Sequence, residues 1–199
     1  MTGSPFVLPP APETLGVTRD RVRLRPFEER DLDAMAAYRG DPEVCRYLPF
    51  DPQSPDDIRH RNGHLMGGTS LEGERGGVML VIERVDDGAV IGDLVLFHFD
   101  VAAGSAEIGW VVNPAASGRG LATEAVRALI DTAFEVYGLR RVIAQIDGEN
   151  VRSAALAERV GMRREAYFVE NEWLKGRWCD LLVYAVLDRE WAPGERSAS

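Results

Sequence analysis

Residues 111–123 read Val-Val-Asn-Pro-Ala-Ala-Ser-Gly-Arg-Gly-Leu-Ala-Thr, an apolar strand that passes through a turn of small residues into an amphipathic helix. Gly118 and Gly120 allow positive φ and leave no Cβ in the way, so several amide N–H groups can converge on one anion. The helix that follows adds four unbonded N–H groups and the positive end of its dipole. The chemistry these residues suit is phosphate binding. A nucleotide P-loop would continue Gly-Lys-Ser/Thr, whereas Leu121 and Ala122 follow Gly120 here. A dinucleotide fingerprint would require a third glycine where Thr123 stands, and would open a domain rather than fall past its middle.

The frame that fits is Ser117-Gly118-Arg119-Gly120-Leu121-Ala122, which resembles the Gln/Arg-x-x-Gly-x-Gly/Ala pyrophosphate loop of the GCN5-related N-acetyltransferases (GNAT). Further segments resemble the RimJ/RimL-like branch of that superfamily. They are Ala106-Glu107-Ile108-Gly109-Trp110 leading to Asn113-Pro114, Ala122-Thr123-Glu124-Ala125-Val126, Asp147-Gly148-Glu149-Asn150 followed by Ser153, and Gly176, Trp178 and Asp180 near the end. The match covers residues 20–190, and Ser117 departs from the family's usual Gln or Arg. The resemblance implies acetyl-CoA, or another acyl-CoA, as co-substrate. Its pyrophosphate would rest on amides of Ser117, Gly118, Arg119, Gly120, Leu121, Ala122 and Thr123, with Arg119 adding charge. Its pantetheine would pair with the strand edge at Trp110, Val111 and Val112, in a gap where the strands ending at Val112 and Ile146 splay apart. Asn150 and Ser153 would face the CoA arm, Ser153 protonating the departing thiolate, while an amide near Val112 polarises the thioester carbonyl. The acceptor would be a primary amine of a protein N-terminus, a polyamine or a small molecule, lodged between the N-terminal helices and the last hairpin, with Trp173 and Trp178 in its wall.

Transfer to an amine needs the neutral amine, and a carboxylate reached through water can take its proton. Glu107 is the first candidate, because strand alternation puts it on the face of Gly109 and Val111. An exposed strand glutamate, or a structural hydrogen-bond acceptor, is the alternative. Cys45 and Cys179 have no neighbouring histidine signature, so direct transfer in a ternary complex is expected over an acyl-enzyme. His60 and His64 have a metal-compatible i, i+4 spacing but no third ligand nearby, and His98 stands alone, so no metal is expected.

These residues must be positioned by alternating strands and helices. Val22 to Leu24 alternates as a first strand. A helix follows over 28–38, a short one from Asp41-Pro42 through Tyr47, and a third after Ser54-Pro55. Strands over 78–83 and 89–99 meet at Asp87-Gly88, and another covers 104–112. The helix after the glycine loop carries Leu121, Ala125, Val126, Leu129, Ile130 and Ala133 in one stripe. The strand over 141–146 then lies parallel to the preceding one, because a helix crossover separates them. Asn150 caps a helix that closes at Gly161, and an antiparallel pair from Tyr167 onward divides at Lys175-Gly176. The expected fold is GNAT-like α/β: a mixed, mainly antiparallel central sheet with helices on both faces, in three α/β/α layers.

At 199 residues the chain suits one domain, expected over 20–191, with an N-terminal arm (1–19) and a C-terminal tail (192–199). No apolar run approaches the roughly 20 residues of a membrane span, and neither a basic leader nor a disulfide framework appears, so a cytoplasmic protein without a membrane partner is expected. A formal net charge of −9 argues against sequence-independent nucleic-acid binding; it would favour a cationic acceptor, or it simply keeps the protein in solution. Two other functions stay open: a succinyl-CoA-type transferase using Arg46, Arg59 or Arg61, and a noncatalytic acyl-CoA-binding module. A homodimer through the final strands is a further expectation.

Overall fold

The computed structural model describes residues 7, 11–61, 69–71, 77–100 and 102–191, with only the backbone of His98 and Phe99. His64, most of residues 1–10 and the tail over 192–199 lie outside the described residues.

Among the described residues, eight strands form one sheet in the order β1-β2-β3-β4-β5-β6-β8-β7. They are β1 (Val17–Thr18), β2 (Val22–Arg25), β3 (Gly77–Arg84), β4 (Val90–Asp100), β5 (Ser105–Val112), β6 (Arg141–Asp147), β7 (Arg163–Leu174) and β8 (Arg177–Leu187). Every pairing is antiparallel except β5 with β6. That exception follows from the crossover helix α4 (Leu121–Glu135), whose apolar stripe packs on one face of the sheet beside α5 (Val151–Val160). The opposite face carries α1 (Leu32–Arg39) and α3 (Pro55–His60), where Leu32, Met35, Tyr38 and Ile58 pack on Met79, Val81 and Val111. Each fully buried Leu, Ile or Val contributes about 1.5–3 kcal/mol, so the two apolar layers clamp the sheet from both sides. β5 alternates between them: Ala106 and Ile108 enter the α4 layer, and Val111 the α1 layer.

The parallel pairing that opens the site is short. β5 and β6 are joined only from Ser105 to Glu107, against Arg141 to Ile143. Beyond that point the two strands diverge, while β4 still pairs with β5 out to Val112.

The observed elements differ from the sequence reading in four places. The helix expected over 28–38 starts as a 3-10 turn, Glu29–Asp31, because the Asp31 carboxylate takes the Glu28 amide and both terminal nitrogens of Arg25. The short helix α2 (Pro42–Cys45) ends before Tyr47, since Pro49 disfavours helical geometry at Leu48. β7 begins at Arg163 rather than Tyr167. Its first residues carry no apolar signal and are held by pairing with β8 and by ion pairs of Arg163 with Glu190 and of Arg141 with Glu165. The end of the expected arm is part of the fold, since β1 pairs with β2 and Leu15 is buried.

Candidate active site

The glycine loop has the predicted conformation. Gly118 and Gly120 have φ of 82° and 76°, a region that side-chain-bearing residues adopt at a cost of roughly 1–2 kcal/mol. Gly120 is the N-cap of α4 and no side chain caps that first turn, whereas Asp41, Ser54 and Asn150 cap α2, α3 and α5. The first-turn carboxylate, Glu124, is held by the backbone amide and side chain of Arg21, at 2.8 and 2.7 Å. The positive end of α4 therefore keeps its N–H groups for an external anion. Arg21 also donates to the Arg119 carbonyl at 2.9 Å, bracing the loop from behind.

Two cavities flank the split in the sheet. One, of about 960 Å³, runs along Ser117, Gly118 and Gly120 to Thr123, and on to Trp110, Val111 and Val112. Arg119 is absent from its wall, so the loop serves this groove through backbone rather than through that guanidinium. The other, of about 810 Å³, lies between the diverging strands and the α1 layer, and Glu107, Gly109 and Val111 line it together, as alternation required. Six residues line both: Tyr47, Leu48, Trp110, Val111, Asn150 and Ser153. Those six mark where the two cavities meet.

At that junction the side chains are fixed by one another. Asn150 accepts from the Ser153 amide at 3.1 Å, which starts α5 and sets Ser153 one turn in. The Trp110 indole N–H donates to Ser153 Oγ at 3.2 Å, so the hydroxyl keeps its own proton to donate. On the other side, Gln145 Nε2 donates to Glu107 Oε2 at 2.8 Å. Burial raises the Glu107 carboxyl above its ordinary range, against that hydrogen bond and with help from the charge of Glu172.

The deeper wall of the 810 Å³ cavity is braced by Arg39 and Asp93, both almost fully buried, with Arg39 Nε 2.9 Å and the Tyr38 hydroxyl 2.7 Å from Asp93 Oδ2. Burial and the Asp93 charge hold the Tyr38 phenol well above its usual value. A bulge in β7 brings Glu172 opposite Cys179, and Asp180 pins that bulge by accepting from Tyr167 Oη and from the Glu170 amide. Gly148 packs against the Asp180 backbone, where a Cβ would sit 2.9 Å from Asp180 Cβ. Burial and neighbouring Asp147 push the Cys179 thiol up, which keeps it protonated. Trp173 and Trp178 stack edge to face but stand more than half exposed, and neither lines the cavity.

Sequence reasoning missed Arg21, Tyr47, Gln145 and Glu172. Gln145 was within reach of it, since parallel pairing puts Ile143 beside Glu107 and alternation carries Gln145 to the same face. The other three are placed by contacts distant in sequence.

An acetyltransferase (GNAT) domain model matches residues 21–163. The chain belongs to the GNAT acetyltransferase family. It is 31% identical over 178 residues to the uncharacterized N-acetyltransferase YnaD of Bacillus subtilis, covering 88% of this chain and 98% of that one. The crystal structure of a GNAT-family acetyltransferase from Bacillus anthracis matches it with a TM-score of 0.79 at 30% identity, over 88% and 100% of the two chains. The structure of spermidine N-acetyltransferase from Vibrio cholerae, in complex with CoA and spermine, shares the fold with a TM-score of 0.72 at 22% identity, over 85% and 96%. This GNAT chain is an acetyl-CoA-dependent N-acetyltransferase. The open helix start, the positive-φ glycines and the split sheet fit an acyl-CoA, an anionic pyrophosphate followed by a chain of amides that a strand edge can pair.

Proposed function

We propose that this GNAT enzyme acetylates a primary amine of a small cationic acceptor, of polyamine type, by direct transfer in a ternary complex. The observation that carries this reading is the meeting of the two cavities at Trp110, Asn150 and Ser153. The unit responsible is a single domain that takes in residues 20–191 together with Leu15 and β1. Acetyl-CoA supplies the activated acyl group. The loop over 117–123 and the uncapped start of α4 hold its pyrophosphate, and the free edge of β5 at Trp110 to Val112 holds its arm. Glu107 accepts the amine proton through water, leaving the nitrogen lone pair free to attack the carbonyl carbon. A β5 amide near Val112 stabilises the charge developing on the carbonyl oxygen, a contribution of about 3 kcal/mol for one such donor. Ser153 passes its hydroxyl proton to the sulfur as the C–S bond breaks and regains one from water.

A cationic acceptor is supported by the carboxylates of Glu107 and Glu172 at the 810 Å³ cavity, where Asp147 and Asp180 are already engaged by Arg177 and by Tyr167. The spermidine N-acetyltransferase of the same fold points the same way. A second reading, transfer of a succinyl group, draws on Arg61, which lines that cavity, while Arg59 is paired with Glu29 and Asp56. Mass spectrometry of products from acetyl-CoA and succinyl-CoA, with linear polyamines, N-terminal peptides and neutral amines, tests the assignment. Mono-acetylated polyamine is expected as the main product. A preference for neutral amines would overturn the acceptor class, and faster succinyl transfer would overturn the acyl group.

A further inference from the structure

β7 and β8 meet at a two-residue turn, Lys175-Gly176, in which both residues have positive φ, 49° and 81°. Turns of this kind favour Asn-Gly or Asp-Gly, whose first residue tolerates left-handed backbone. A lysine is an unusual occupant, and its side chain shows a use for it. Lys175 Nζ donates to the Cys45 carbonyl at 2.6 Å and to the Phe50 carbonyl at 2.7 Å, with the Asp51 carboxylate 3.7 Å away.

Those two carbonyls bracket residues 46–49, the stretch where α2 has already ended. Within it, Tyr47 and Leu48 line both cavities, and Pro49 with Phe50 continues the wall of the 810 Å³ cavity. One ammonium thus ties both ends of the loop that partitions the site. An ammonium has three donors and no acceptor, so it can bridge two carbonyls at once. The same hairpin holds the loop a second time: Arg177 pairs with Asp147 at 2.6 Å, and its guanidinium lies 5.9 Å from the Tyr47 ring centre.

We propose that Lys175 is a positioning residue that fixes the 46–49 loop as the partition between the cavities and thereby sets the affinity for the acceptor amine. This rests on the reading above that the 810 Å³ cavity receives the acceptor. Asparagine in its place would keep the left-handed turn but lacks the reach, methionine would keep the stem without the charge, and arginine would restore donors.

The test is steady-state kinetics with a linear polyamine, CoA titration calorimetry and hydrogen exchange over residues 45–50, on the wild type, Lys175→Asn, Lys175→Met and Lys175→Arg. Loss of charge-assisted hydrogen bonds predicts an acceptor KM about tenfold higher in the Asn and Met variants, with kcat and the CoA Kd within about twofold. Exchange at Tyr47 and Leu48 should quicken in both, and Lys175→Arg should recover most of the KM. An unchanged KM, or a CoA Kd that rises in step with it, would overturn the proposal. If the wild type itself acetylates no amine, the reading of the cavity fails and the proposal with it, whereas slow exchange persisting in the Asn variant would remove the latch alone.

Discussion

Glu107 lies on β5 and Ser153 in the first turn of α5, and each is held by a neighbour, Gln145 for the carboxylate and Trp110 for the hydroxyl. The carboxyl of Glu107 is raised by burial and by Glu172, and lowered by Gln145. In its proposed role as base it acts ionised, so the acid limb of kcat/KM should lie above the ordinary glutamate range. The signs for its neighbours are opposed. Removing the Gln145 donor in Gln145→Ala raises the carboxyl further and moves that limb to higher pH. Removing the repelling charge in Glu172→Gln moves it to lower pH. Both shifts are read from pH profiles of acceptor kcat/KM, and Glu107→Gln should abolish the limb. For Ser153, loss of the proposed proton donor predicts a fall in kcat of about 10²-fold in Ser153→Ala. Trp110→Phe, which removes the indole N–H together with part of the ring that lines both cavities, should lower kcat less than Ser153→Ala while weakening CoA binding.

The loop and α4 act as one element, since the glycines shape what the helix start presents. Gly120→Ala puts a Cβ on a residue at φ 76°. The strain of roughly 1–2 kcal/mol predicts a CoA Kd about tenfold weaker, measurable by calorimetry, with less change in acceptor KM. The Arg39–Asp93 pair between α1 and β4 answers to stability. Arg39→Met leaves a buried carboxylate without its guanidinium, which should cost about 3–5 kcal/mol and show in chemical denaturation. At this scale the sequence was most legible where apolar period and turn chemistry agree, as in α4, α5, the Asp87-Gly88 hairpin and the Lys175-Gly176 turn. It was least legible where charge replaces apolar patterning, as in the first residues of β7. The end of α2 also depended on a proline four residues beyond Cys45. Of the site, the cradle and the face of Glu107 were readable because a glycine spacing and a two-residue period fix them locally. The Trp110–Ser153 contact spans 43 residues and forms only when β5 and α5 are brought together.

For the whole molecule, the sheet is continuous on either side of one short parallel seam, and the seam opens where the reaction is proposed to take place. Acyl-CoA filling that opening binds only the folded chain. At a hundredfold excess over Kd it should add about 2.7 kcal/mol of stability. At about 2–4 °C per kcal/mol for a chain of this size, the melting temperature should rise roughly 5–10 °C. Among the described residues no helix is long and apolar enough to cross a membrane. The most direct test of the central claim is free-thiol release from acetyl-CoA, followed with and without a linear polyamine in the wild type and in Ser153→Ala. The account predicts release that depends wholly on the acceptor, with no burst in its absence, and that falls about 10²-fold in the variant. A stoichiometric burst without acceptor would contradict direct transfer, and tight CoA binding with no release for any amine would make the junction of the two cavities a binding site alone.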